Sequence, residues 1–218
     1  MVINKKICPA GLKNNPNKQL RSISFITIHT TGNYSATATA QSHANYQYNG
    51  SGGNQTSWHY TVDKDDIWQS FEDNQSCWHT GNSEGNSTSI GIEICVNNRE
   101  FFNQACENTA WLVSELMKKY NLNIDKIVQH NHWANKNCPA ELRSGSWGIT
   151  WNEFIELIHH HANKSTATTE EQLDVKMAID ILVKHNVIAS PEYWLNNYTK
   201  LQYLDQLLIN MAIRISSE

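Results

Sequence analysis

Two hydrophobic periods take turns along residues 20–160. The stretch SISFITIHTTG is a β-branched and aromatic run halted by Thr and Gly, which predicts a buried strand ending at His29. SWHYTV, DKDD and IWQSF follow as strand, turn and strand, a hairpin. In SIGIEICV the period is two: Ile90, Ile92, Ile94 and Val96 share one face, while Gly91, Glu93 and Cys95 share the other. The period then lengthens. Between Glu107 and Leu122, Leu112, Leu116 and Tyr120 recur at helical spacing with Val113 and Met117 beside them, which predicts an amphipathic helix. KIVQH reads as a short strand that delivers His130 to its end, and in TWNEFIELI the pair Thr150 and Glu153 forms a capping box. The helix it opens turns Trp151, Phe154, Ile155 and Ile158 inward. Strands with helices between them predict an α/β fold with a central mixed β-sheet flanked by helices.

Beyond that pattern, ANKSTATT at residues 162–169 is small and polar and reads as a linker. EEQLDVKMAIDILVKHNVI, then Ser190 and Pro191 as cap and first-turn signals, then KLQYLDQLLINMAIRI are all helical in pattern. The expected organisation is an α/β domain over residues 1–164 and a small all-helical C-terminal domain over residues 165–218.

Length is consistent with this division, since 218 residues hold one domain with a full core and a smaller appendage. A formal net charge of −4 with no stripe of Lys or Arg argues against nucleic acid or an anionic membrane as partner. The polar start MVINKKICPAGLKNNPNKQL lacks the apolar run of a signal peptide, and no stretch is long enough to span a bilayer, so cytoplasmic synthesis without membrane insertion is expected. Five widely spaced cysteines, an odd number, argue against a disulfide framework and for buried thiols or a metal ligand.

His29, Glu93, His130, Lys136 and Cys138 each fall at or near the end of a predicted element, far apart in sequence and able to meet at one edge of a sheet. In VQHNHWANKNCPAEL, residues 128–142, a loop can fold so that His130, Lys136 and Cys138 converge. Two imidazoles and one thiolate make a three-ligand zinc set with a fourth position open for water, which is the catalytic pattern; a structural site wants four protein ligands. By chemistry alone, His132 is as good a ligand as His130.

ITIHTTG, SWHYTVDKDDIWQ, CWHTGN, SIGIEICVN and HNHWANKNCP resemble, in order, the successive motifs of the zinc-dependent N-acetylmuramoyl-L-alanine amidases of the type 2 family, relatives of phage endolysins and peptidoglycan recognition proteins. The resemblance implies that His29, His130 and Cys138 bind Zn2+, that Glu93 is the catalytic acid/base, and that Lys136 stabilises the oxyanion. Trp58 and His79 are expected to bind substrate. What it implies for the whole is a hydrolase that cuts the amide between N-acetylmuramic acid and the L-alanine of the stem peptide in bacterial peptidoglycan. The implied setting is a phage or prophage endolysin that reaches the wall through a pore made by another protein. A host autolysin is one alternative. A non-catalytic peptidoglycan-binding module of the same fold is the other, disfavoured because binding-only relatives typically lose the thiolate ligand that Cys138 supplies. Another branch of the family carries a catalytic tyrosine where this chain has Trp58, which puts the proton transfers on Glu93. His132 stands where close relatives often carry an acidic residue, and is expected to partner a ligand at most. The C-terminal helices are expected to bind the cell wall or to self-associate.

The remaining candidates have blander readings. His59 is expected as a hydrogen-bonded core or cleft histidine, and His43 and His185 as surface or helix residues. Consecutive helix positions point about 100° apart, so the run at 159–161 cannot converge on one metal and reads as a solvated helix end. Cys77, Cys95 and Cys106 are expected as small core hydrophobes, and Trp194, Tyr198 and Leu201 as core of the tail rather than a sugar platform.

Overall fold

The strand expected at His29 is β2 (Phe25–Thr30), and the one carrying Glu93 is β5 (Ser89–Ile94). They pair in parallel, with Ile26 opposite Ile90, Ile28 opposite Ile92 and His29 opposite Glu93. Because side chains alternate along a strand, this register puts the isoleucines together in the main core and leaves Thr27, Gly91, His29 and Glu93 on the opposite face. On the other side of β2, β6 (Ile127–Gln129) pairs so that Gln129 lies opposite Ile28, and the next residue, His130, emerges beside His29.

β3 (Tyr60–Val62) and β4 (Ile67–Gln69) form the expected antiparallel hairpin, and β3 joins β5 in parallel. β1 (Ile3–Lys5), which the sequence pattern did not announce, adds in parallel to β4. The result is a six-stranded mixed sheet in the order β1-β4-β3-β5-β2-β6. The computed structural model describes residues 1–166, 175–197 and 204–216, and the chain divides into two units, Met1–Ser165 and Thr166–Glu218.

Helices α1 (Ala40–Tyr48), α2 (Ser83–Thr88), α3 (Phe102–Tyr120), α4 (Ala140–Ser144) and α5 (Trp151–Thr166) flank the sheet. Phe102, Leu112, Val113 and Leu116 of α3 and Phe154 and Ile158 of α5 join the isoleucines in one core, with Trp151 and Ile155 partly buried against it. Each such burial contributes about 1.5–3 kcal/mol. The capping box forms as expected: Thr150 N–H donates to Glu153 Oε2 at 2.7 Å, and Glu153 N–H donates to Thr150 Oγ1 at 3.3 Å. α5 runs on through Thr166, so the first part of the segment expected as a linker is helix, and residues 167–169 lie outside the described residues. The histidine run at 159–161 is therefore inside a helix rather than at its end, and His161 Nε2 meets Glu107 Oε1 at 3.0 Å.

The second unit holds α6 (Val175–Lys184), α7 (Pro191–Asn197) and α8 (Leu204–Ser216), with Ala178, Ile179, Leu182, Leu208 and Ala212 as its buried centre. Trp194 packs partly buried against that centre, while Tyr198 and Leu201 lie outside the described residues. Among the described residues, no helix is long and apolar enough to cross a membrane.

Candidate metal centre and cleft

β2, β5 and β6 are mutually parallel, so their carboxyl ends open on one edge of the sheet, the edge where open α/β sheets bind ligands. His29, His130 and Cys138 meet there, their ligating atoms all within 4.8 Å of one another. His29 Nδ1 lies 3.0 Å from His130 Nδ1 and 3.9 Å from Cys138 Sγ. The turn that brings the cysteine back is closed by Asn131, whose N–H donates to Cys138 O at 3.1 Å and whose amide donates to Lys136 O at 2.9 Å.

Each imidazole is also held by its far nitrogen. His130 Nε2 lies 3.0 Å from Thr80 O. A carbonyl only accepts, so Nε2 carries the proton and Nδ1 presents a lone pair. His29 Nε2 lies 3.0 Å from His79 Nδ1, a neighbour able to accept a hydrogen bond from Nε2–H, which leaves the His29 Nδ1 lone pair free to ligate. Metal-binding histidines are typically oriented by such a partner on the second nitrogen. Two lone pairs facing each other beside a thiol suit a cation between them, and the donor set fits zinc, whose sites favour His nitrogen and Cys sulfur.

Burial sets the proton affinities. It pushes His29 well below the usual imidazole value, with the charges of His79, His130 and Lys136 adding to the effect. His130 is lowered by burial and then by Lys136. Both imidazoles are therefore neutral near pH 7. Burial, with Glu93 adding, pushes the Cys138 thiol up to about 12, so an ion binding there displaces a proton. Glu93, its side chain 15% exposed, has Oε1 at 4.0 Å from His29 Nδ1. Burial raises its carboxyl to about 8 against the opposing charge of Lys136, with Glu141 adding to the rise. Its other oxygen, Oε2, is buried without a hydrogen-bond partner among the described residues.

These groups line a cleft of about 580 Å3 together with Lys136, Trp58, His79 and His43. Trp58 is nearly buried, and its indole N–H donates to Thr61 Oγ1 at 2.7 Å. His79 fits where it does because β5 carries Gly91: a Cβ there would sit 2.6 Å from His79 Nδ1. His59 is a core histidine, accepting from Gly91 N–H at 2.9 Å and meeting Gln75 O at 2.8 Å. Cys77, Cys95 and Cys106 are free and buried. His132 faces elsewhere: it is exposed, its ring 5.9 Å from Phe25 and 4.7 Å from Trp133, so neither a ligating nor a supporting role is seen. His43 is the correction in the other direction. It lies on α1 as expected of a helix residue, but it is buried and lines the cleft rather than the surface.

The N-acetylmuramoyl-L-alanine amidase family matches residues 19–141. N-acetylmuramoyl-L-alanine amidase XlyA of Bacillus subtilis (strain 168) is 38% identical over 148 residues, 67% of this chain and 47% of XlyA. N-acetylmuramoyl-L-alanine amidase CwlH of the same organism is 35% identical over 158 residues, 71% of this chain and 60% of CwlH. The chain thus spans about half the length of the curated relatives it matches. Among solved structures, a mutant endolysin from Bacillus subtilis superposes with a TM-score of 0.66 at 36% identity, covering 72% of this chain and 99% of that one. The catalytic domain of XlyA gives 0.65 at 36% identity with the same coverage. The mixed sheet and its flanking helices are the fold of those endolysin domains.

Proposed function

The chain belongs to the N-acetylmuramoyl-L-alanine amidase family, and from that premise we propose that it hydrolyses the amide joining N-acetylmuramic acid to the L-alanine of the stem peptide in bacterial peptidoglycan, with zinc as cofactor. The observation that carries the reading is the convergence of His29, His130 and Cys138 beside a partly buried Glu93. Zn2+ held by those three side chains supplies Lewis acidity and brings the pKa of water to about 7.

The chain's own groups do the rest. His79 and the Thr80 carbonyl hold the two imidazoles in the ligating tautomer. Glu93, whose carboxyl burial raises to about 8, stands at the cleft to take a proton from the attacking water and return it to the departing amine. Lys136 places positive charge at the cleft where the tetrahedral oxyanion develops. Trp58 offers an aromatic wall with no proton to exchange, and together with His79 it contacts the substrate. Turnover of a soluble muramyl peptide tests these roles. Glu93→Gln should bind zinc normally and lose roughly 10²-fold or more in rate, and Lys136→Ala should lose about 3 kcal/mol of transition-state stabilisation. Normal rates in both would remove them from the mechanism.

We further propose that the protein serves as a phage or prophage endolysin that reaches the wall through a pore made by another protein. Lysis on expression only together with a pore-forming partner is the matching test, and lysis without one contradicts it. The C-terminal helices are proposed to bind the wall or self-associate, with residues 1–164 as the catalytic domain. A chain ending at residue 164 should then match the full-length rate on soluble substrate while clearing walls more slowly; equal losses on both substrates would make the tail part of the catalytic core.

A further inference from the structure

One wall of the cleft is the loop between β2 and α1, where Thr31, Asn33, Ser35, Thr37 and Ala38 line the opening. Its ends are anchored: Thr31 N–H donates to Ile94 O at 3.0 Å, and Ala40 N–H donates to Asp63 Oδ2 at 2.7 Å. Within the loop the bonds are mostly local. Ser35 N–H donates to Asn33 Oδ1 at 3.2 Å, Ala38 N–H to Ser35 O at 2.9 Å, and the hydroxyls of Ser35 and Thr37 meet at 3.0 Å. Asn97 reaches Ala36 O only at 3.4 Å. The strong tie from the middle of the loop to a distant element is Tyr34. Its hydroxyl donates to Glu141 Oε1 at 2.7 Å, and its ring lies 5.7 Å from that of Trp147.

The partner at the far end makes this tie more than a surface contact. Glu141 stands in the first turn of α4, three residues past Cys138, and is only 3% exposed. Its second oxygen, Oε2, is buried without a hydrogen-bond partner among the described residues. A buried carboxylate that lost its Tyr34 bond as well would carry the full cost of desolvation without compensation. Swinging the loop outward therefore strips Glu141 of a bond it cannot easily replace, which biases the loop toward the position seen. Tyr34 itself is 60% exposed, so apolar burial does little to hold it there.

We propose that Tyr34 and Glu141 form a latch that fixes this loop as a wall of the cleft, and that they are positioning residues for substrate, acting through Asn33 and Ser35. The wall offers neutral amide and hydroxyl groups, so the part of the substrate it aligns is uncharged and polar. The consequence for turnover rests on the amidase reading above; the consequence for the loop does not.

The zinc-loaded full-length protein tests this with Tyr34→Phe, Glu141→Gln, Glu141→Leu and the double variant Tyr34→Phe/Glu141→Leu, read in two ways. Amide hydrogen exchange of residues 32–38 reports the loop, and KM and kcat on a soluble muramyl peptide report its use. Tyr34→Phe should speed exchange in residues 32–38 by about tenfold while β2 and β5 are unchanged, and raise KM about tenfold with kcat nearly constant, the scale of one hydrogen bond to a charged group. Glu141→Gln keeps a carbonyl oxygen that accepts from Tyr34 but loses the charge, so it should fall between the parent and Tyr34→Phe in both readouts. Glu141→Leu should match Tyr34→Phe, and the double variant should add nothing. Unaltered loop exchange in Tyr34→Phe, faster exchange spread equally over the sheet, or losses that add in the double variant would each overturn the latch. If Glu141→Leu does not fold, Tyr34→Phe and Glu141→Gln still decide it. Absence of turnover in the parent protein would count against the amidase reading alone, and loop exchange would still judge the latch.

Discussion

His29 Nδ1 and His130 Nδ1 face each other at 3.0 Å because each ring is gripped from behind, one by His79 and one by the Thr80 carbonyl. That grip separates these two rings from the histidine two positions along, since His132 has turned against Phe25 and Trp133. Metal content gives a direct check. Cys138→Ser should abolish most zinc retention, whereas His132→Ala should keep one zinc per chain by elemental analysis; the reverse pattern would overturn the assignment. At this scale the sequence was readable where chemistry and strand ends coincide, as at His29, Glu93 and His130. It was not readable where a contact depends on a backbone carbonyl, as at Thr80, or on a side-chain pair from distant segments, as with Tyr34 and Glu141. His43 was missed because a single histidine in a polar helix leaves no periodic signal of which side it faces.

Whole elements were legible in proportion to how much of their reason is local. The alternation of Ile90, Ile92 and Ile94 and the helical spacing through α3 and α5 state their own burial. β1 is three residues in a polar stretch, and its cause is the edge of β4, more than sixty positions away. Gly91 looks like a weak point in a strand, yet its missing Cβ is the space that His79 occupies. A similar long-range device joins α3 to the hairpin. Asp73 accepts from Tyr60, from Lys119 Nζ at 2.8 Å and from Tyr120 at 2.6 Å. Burial raises its proton affinity, but the bonds from Lys119, Tyr120 and Tyr60 outweigh that and hold the carboxyl below its ordinary value. A carboxyl whose folded value is depressed stabilises the fold above its unfolded value, near 3.9, and loses that contribution as pH falls through the folded value. Asp73→Asn should therefore cost about 1–3 kcal/mol near pH 7, and the gap from the parent in thermal unfolding should narrow below about pH 4. A gap independent of pH would show that the ionised form of Asp73 is not what holds these elements together.

Across the whole molecule, the parallel register of three strands gathers a centre from residues as far apart as His29 and Cys138, 109 positions in sequence. Among the described residues, the cleft offers mostly neutral polar groups beside Lys136 and Glu93. The composition turns small and polar near residue 165, where the chain divides into its two units, but the end of α5 was not legible, since Ala, Asn, Lys, Ser and Thr can all continue a helix that packing has already started. The proposed cut falls at a single bond, the amide between N-acetylmuramic acid and L-alanine. Purified sacculi digested with the zinc-loaded full-length protein and analysed by mass spectrometry should release stem peptides with a free N-terminal alanine and leave the glycan strands intact. New reducing sugar ends, cuts within the stem peptide, or no released product would contradict it.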